Sequence, residues 1–506
     1  MRPRAYAVGL SLCLQLCGCV SFYTSRAPRS PGAPWQLADA PARRPLRAQP
    51  DARALPADRI YTLPELVDIA ESTNPDTRIG WEHARQAALG VGVATAEWYP
   101  SITAHTLAAY QHVWLPVPTL NTATLGINPS DTLPNVSLPV PKLLQQSGSI
   151  DIDTYQVLPF VAVRWPLLDL GRGPAVRAAK ELSVAANELF TAAHQKIIFD
   201  VASAYFRLSA ARNQIGVSRG ALARTRAIAK AAEARYAQGV ATVVELAEAR
   251  REVAQAEYQL TQAEAGEIVV YTALVTAMGS DPAAHLEVVV NPSRELPSQV
   301  DGKVEDYVKS ALAARPDLRA ARARLPSTAA EVSRSKAAYA PRVNLVGTAG
   351  AAFLGADLAG TGFKTVTLPN VTAGVSIDWV IFDGGLREIR GEIARSKHSE
   401  AYQDMVKLEH QTVQQVITAY GELNATLARY QAATAFMQTA SVADDAVTKS
   451  YVNGLATFTD AMNAQKARAE ASAAKEQAFA DALVAQAALT FAAGQLTSAD
   501  AVPLAR

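Results

Sequence analysis

Two short stretches of this 506-residue chain set a hydroxyl three residues ahead of an acid: Thr242-Val243-Val244-Glu245 and Thr457-Phe458-Thr459-Asp460. That spacing suits the start of a helix, where the hydroxyl accepts from the third backbone N–H and the acid folds back onto the first. Each acid also stands six residues after the glycine of a Tyr-x-x-Gly, Tyr236 to Gly239 and Tyr451 to Gly454. A long helical pattern breaks at both places. Patterns for covalent chemistry are poor. Gly216-Val217-Ser218-Arg219-Gly220 has the spacing of a hydrolase nucleophile turn, but that turn needs a strand before the serine, and here the segment lies within a helical stretch. There is no Gly-x-x-x-x-Gly-Lys-Ser/Thr phosphate loop and no His-Glu-x-x-His. Asp383-Gly384-Gly385 reads as a strand-to-helix turn. No enzyme is expected.

Lys plus Arg number 48 and Asp plus Glu 47, so there is no cationic surplus for nucleic acid. The seven histidines are scattered without metal-ligand spacing, and no metal or other cofactor is expected. All three cysteines, Cys13, Cys17 and Cys19, lie near the start. Arg2 and Arg4 precede an apolar run from Ala5 to Leu16, as in a secretory signal. Leu16-Cys17-Gly18-Cys19 resembles the lipobox of bacterial lipoproteins. The resemblance implies a signal peptide over 1–18, acyl chains such as palmitate on Cys19, and a lipid-anchored segment over 19–58; Val20 fits sorting to the outer membrane. Beyond the signal no run of about 18 apolar residues occurs, so no transmembrane helix is predicted. A chain that crosses a membrane without one must close a β-barrel.

The chain is written twice. Asn74-Pro75-Asp76 lies over Arg315-Pro316-Asp317, and Trp98-Tyr99-Pro100 over Tyr339-Ala340-Pro341, at an offset of 241. Trp165 to Asp169 lies over Trp379 to Asp383 at an offset of 214. Val201 to Leu208 then matches Val416 to Leu423, and Arg235 to Thr242 matches Ser450 to Thr457, at 215. The expected organisation is a first repeat over 59–280, a linker over 281–302, a second repeat over 303–495 and a tail over 496–506.

Each copy reads helix, helix, strand, strand, then a very long helix broken at Tyr-x-x-Gly. Strands are expected at about 100–114 and 155–168, and at about 341–353 and 370–383. Alternation is clearest in the second strand of each pair. Val157, Val161, Val163, Trp165 and Leu167 share one face in the first copy; Val371, Val375, Ile377, Trp379 and Ile381 do so in the second. One apolar and one polar face suits a strand between lipid and water, and Trp165 and Trp379 stand near strand ends, where interfacial aromatics belong. The long helices carry a coiled-coil-like stripe, Ile198, Val201, Tyr205, Leu208 and Val413, Val416, Tyr420, Leu423, Leu427. Four strands cannot close a transmembrane barrel, which starts at about eight. Several chains must therefore share one barrel.

The lipobox, the duplicated copies, Asn-Pro-Asp and Arg-Pro-Asp, Phe382-Asp383-Gly384-Gly385 and the two Tyr-x-x-Gly breaks together resemble the TolC-like outer membrane efflux proteins, over residues 60 to 495. The lipobox points to the lipoprotein branch serving resistance-nodulation-division (RND) exporters. The resemblance implies a mainly α fold with a small β part: a trimeric outer-membrane β-barrel continued by a long periplasmic α-helical barrel, with 281–302 and the tail as an equatorial belt. It implies a homotrimer held in outer-membrane lipid, a periplasmic adaptor and an inner-membrane RND transporter as partners, and passive export of small molecules or drugs. The alternative cargo is protein, through a type I secretion system. Loops 115–154 and 354–370 would face outward. Gly239, Gly454 and Tyr236 would form the periplasmic tip turns, and Glu245, Asp460 and Tyr451 a gate. Threefold repetition there would crowd like charges, attract cations and raise the carboxylate pKa values. Ala456 replaces an arginine of some relatives, and Asn463 a second acid. The same two acids also suit helix caps, and the residues alone do not choose.

Overall fold

The computed structural model describes residues 30–32, 59–117, 148–281, 286–288, 296–358 and 364–498. The signal over 1–18, Cys19, most of 19–58, loop residues 118–147 and the last residues of the tail lie outside the described residues. In chain order the first copy holds β1 (Ile60–Tyr61), α1 (Leu63–Thr73), α2 (Pro75–Ala96), β2 (Ser101–Val117), β3 (Gly148–Leu168), α3 (Arg172–Ala237) and α4 (Val243–Ala277). After β4 (Glu287–Val288) the second copy holds α5 (Val304–Ala314), α6 (Pro316–Ala337), β5 (Arg342–Leu358), β6 (Lys364–Asp378), α7 (Leu386–Val452) and α8 (Phe458–Ala492). The chain divides into two compact units, one of residues 1–93, 175–332 and 392–506, the other of 94–174 and 333–391.

In the helical unit, α1 begins where Glu65 Oε2 accepts from the Thr62 backbone N–H at 2.9 Å and from its hydroxyl at 3.0 Å. Helices α1 and α5 stop at Asn74 and Arg315 because a proline follows each and pushes its predecessor to extended backbone. Two alanine-rich helices dominate the unit, α3 with 66 residues and α7 with 67; alanine gives up no side-chain entropy in a helix. At ~1.5 Å per residue each is about 100 Å long. Leu66 and Val67 of α1 pack with Ile198, Phe206 and Leu208 of α3, with Leu274 and Met278 at the end of α4, and with Leu483 of α8. The pair β1 and β4 runs parallel beside them.

Two glycines fix how the helix ends meet. Gly279 (φ 69°) ends α4 against the Asn74 break, and Gly494 (φ 71°) ends α8 against Arg315. A Cβ on Gly279 would lie 2.5 Å from Asn74 Cα, and one on Gly494 2.9 Å from Arg315 N. The side chains sealing the two joints differ. Asn74 Nδ2 donates to Ala277 O at 2.8 Å, whereas Arg315 grips Asp317 with two nitrogens at 3.0 and 2.6 Å.

The strand unit is one antiparallel sheet in the order β2-β3-β5-β6. Strands β2 and β6 each have a single neighbour, so the sheet is open on both edges among the described residues. Cross-strand pairs place Ile102, Val163, Ala104, Val161, Val371, Val375 and Ile377 on one face, and Ser101, Thr103, Arg164, Thr348, Thr372, Ser376 and Asp378 on the other. The apolar face is bare: Val371 is 82% exposed and Ile377 69%. Toward the hairpin ends both faces mix, with Leu107, Leu158 and Leu368 on the polar one.

The strands reach further into both hairpins than expected, and β6 ends earlier. Within 115–154, β2 runs to Val117 and β3 starts at Gly148, in continuous register. Segment 354–370 is mostly strand, because β5 runs to Leu358 and β6 starts at Lys364, both in continuous register. At the other end β6 stops at Asp378, not 383, since β5 begins at Arg342 and leaves nothing further to pair. Beyond it Arg387 takes over the backbone: its Nη1 donates to Val380 O at 2.7 Å and its Nη2 to Ile381 O at 3.3 Å. Both tryptophans tie their strands to the turns that precede β2 and β5, as Trp165 Nε1 donates to Trp98 O and Trp379 Nε1 to Tyr339 O, each at 3.1 Å. Arg172 and Arg387, 215 apart, lay their guanidinium groups over Trp98 and Tyr339, with centroids 4.5 and 4.9 Å away.

Candidate functional site

The two Tyr-x-x-Gly segments end α3 and α7 by the same backbone device. Gly239 (φ 73°) and Gly454 (φ 74°) donate to the carbonyls of Tyr236 and Tyr451 at 2.9 and 3.0 Å; the next residues donate to Arg235 and Ser450 at 2.9 and 2.8 Å. This is a Schellman turn, in which glycine takes the left-handed position without a Cβ penalty. Thr242 and Thr457 then cap the returning helices, accepting from the backbone N–H of Glu245 at 3.2 Å and of Asp460 at 3.1 Å.

From here the copies part. Asp460 completes the capping box: its Oδ2 accepts from the Thr457 N–H at 3.1 Å and hydroxyl at 2.6 Å. Those two bonds hold its carboxyl below the usual range. Glu245 instead reaches across to the other copy, and the Tyr451 hydroxyl donates to its Oε1 at 2.8 Å. Tyr451 is fully buried, packed with Ile228, Ala232, Phe458 and Met462. Burial first, and then the bond to Glu245, push its phenol well above its ordinary value. Tyr236, its counterpart, is 43% exposed. The structure therefore brings Glu245 and Tyr451 together and leaves Tyr236 and Asp460 apart from them.

Arg235 was not singled out by the sequence reading. Its Nη1 donates to Tyr451 O at 3.1 Å, and its guanidinium lies 5.1 Å from the ring centroid. Ala456 cannot supply such a cation, and Arg235 supplies one from the first copy. Its only signal was its place directly before Tyr236, where the second copy has Ser450. Further from the turn, three residues of α8 tie three helices. Gln465 donates to Ala221 O of α3 at 2.9 Å, Lys466 Nζ sits 3.1 Å from buried Glu252 of α4, and Arg468 Nη1 lies 3.2 Å from buried Asp444 of α7. A cavity of about 350 Å³ opens between α3 and α7, lined by Arg224, Ile228, Asp445, Thr448 and Val452. Ser218 is buried within α3, with no turn beside it.

Paired helix returns, and an open sheet bare on its apolar side, suit a membrane channel protein. The family model described as outer membrane efflux protein matches residues 66–280 and 307–495, and the chain belongs to that family. Protein CyaE of Bordetella pertussis is 25% identical over 386 residues, covering 74% of this chain and 72% of that protein. Outer membrane protein OprJ of Pseudomonas aeruginosa is 26% identical over 231 residues, 44% of this chain and 46% of that one. Among solved structures, the outer-membrane channel OprN has the same fold, with a TM-score of 0.66 at 20% identity, covering 92% of this chain and 98% of the other.

Proposed function

We propose that three copies of this chain form one outer-membrane exit duct of a tripartite efflux system, passing small molecules or drugs from the periplasm to the exterior. The observation that carries the reading is the sheet. It has four strands, two unpaired edges and one bare apolar face, and lipid tolerates no open edge. Joining β6 of one chain to β2 of the next, three times, closes twelve strands. The apolar face then meets lipid and the polar face water. Energy comes from an inner-membrane RND transporter, reached through a periplasmic adaptor that seats in the cavity between α3 and α7. Cys19 carries the lipid. Glu245, Tyr451 and Arg235 narrow the tip without sealing it, while Asp460 chiefly caps α8.

Single-channel recording of the purified chain in planar bilayers tests the duct, and steady unitary currents are expected. Deleting the gene separates the cargoes: drug hypersensitivity with an unchanged secretome supports small molecules, whereas loss of one secreted protein with unchanged susceptibility moves the duct to type I secretion. Cys19→Ala is expected to abolish labelling by radioactive palmitate; retained label would place the lipid elsewhere.

A further inference from the structure

Above its base row, the polar face of the strand unit carries charge of one sign among the described residues. Register sets Arg164 beside Ser101 and Val346, with Gly374 next in the same row. The adjoining row is Thr103, Ala162, Thr348 and Thr372. These small and hydroxylated residues line a cavity of about 400 Å³ with Arg164 and His105, whose ring stacks on Phe160 at 5.1 Å. Arg164 is exposed, and no carboxylate of the described residues pairs with it.

The base of the sheet is different, because there the signs are mixed. Arg342 stands opposite Asp378 in register, and its Nε lies 3.4 Å from Asp169 Oδ2. Asp378 also accepts from Asn344 Nδ2 at 2.9 Å. Asp378 stands four residue steps along β6 from Gly374, ~13 Å at ~3.3 Å per residue. That exceeds the Debye length of about 10 Å at 0.1 M salt. The acid of the base row is thus screened from Arg164, and Lys364 adds a further cation at the far end of the same face.

We propose that Arg164 gives the strand-built lumen a preference for anions, favouring exported solutes that bear carboxylate, sulfonate or phosphate groups. This rests on the shared barrel described above. Three copies around one axis bring three guanidinium groups to one level, where a low-dielectric wall focuses their field. The guanidinium offers a planar fork of donors that fits oxyanions, and small neighbours leave room for a solute beside it.

The test compares the full wild-type chain with Arg164→Gln and Arg164→Lys in planar bilayers, reading the reversal potential across a KCl gradient. Near 0.1 M salt, Arg164→Gln is expected to lower the chloride-to-potassium permeability ratio about twofold or more, with Arg164→Lys close to wild type. The difference should close near 1 M, where the Debye length falls to about 3 Å. Equal ratios for wild type and Arg164→Gln at low salt overturn the proposal and leave the channel intact. A wild-type preparation that holds no three-chain particle overturns the barrel and this assignment with it.

Discussion

Glu245 and Asp460 hold equivalent places in the two copies, yet one carboxylate crosses between copies and the other turns back on its own helix. A hydrogen bond to a charged group contributes about 1.5–3 kcal/mol, so Tyr451→Phe and Glu245→Ala should each loosen the tip by that order. Because the two groups share one bond, the double variant should cost little more than either single one, which a thermal denaturation cycle can check. In bilayers, Glu245→Ala should raise conductance or change cation selectivity, whereas Asp460→Ala should chiefly speed amide exchange in the first turn of α8 and change conductance less. Equal conductance changes from both would return Asp460 to the gate. The pH dependence has two signs. Tyr451 is raised from an ordinary 10.0; its contribution is complete below that value and is lost as pH climbs through the higher folded one. Asp460 is lowered from 3.8; its cap is complete above that value and fades as pH falls through the lower folded one. Amide exchange at the two turns, followed at both pH extremes, measures each.

At the scale of elements, joints decide the fold. The helix breaks were legible because a proline follows Asn74 and Arg315, and the turns because glycine follows Tyr236 and Tyr451 at fixed spacing. Apolar alternation marked the lipid-type face near Trp165 and Ile377. It failed toward the second hairpin end, where Leu354 and Leu368 stand on the polar face, and so the strands were drawn too short there. It also carried β6 too far, because Ile381 keeps the alternation although no partner strand remains. The crossing of Glu245 to Tyr451 could not be read from spacing at all: Thr242-x-x-Glu245 and Thr457-x-x-Asp460 are the same pattern, and only the packing of α7 against α4 separates them. Gly279 and Gly494 escaped notice although they too are 215 apart. Each combines a positive φ with backbone closer than a Cβ tolerates. Gly279→Ala or Gly494→Ala should therefore destabilise the helical unit by about 1–3 kcal/mol or more, by strain and overpacking together. A midpoint unchanged in denaturant titration would contradict the role assigned to these joints.

For the whole molecule, the proposed ring links duplication to closure. Within one chain the tyrosine of the second copy meets the acid of the first. In a ring of such chains the tyrosine of the first copy should face the acid of the second in the neighbouring subunit. Tyr236 is exposed for that contact, and the Asp460 carboxylate uses one oxygen, Oδ2, for its cap. Tyr236→Cys combined with Asp460→Cys should therefore form an intersubunit disulfide under mild oxidation. Its ladder should stop at three chains; crosslinking within single chains alone would contradict the arrangement.

The most direct test of the shared barrel is the mass of the detergent-extracted complex, by native mass spectrometry with detergent removed in the gas phase. Three chains per particle is the expected result. A single chain, or a particle of any other stable number, would contradict it.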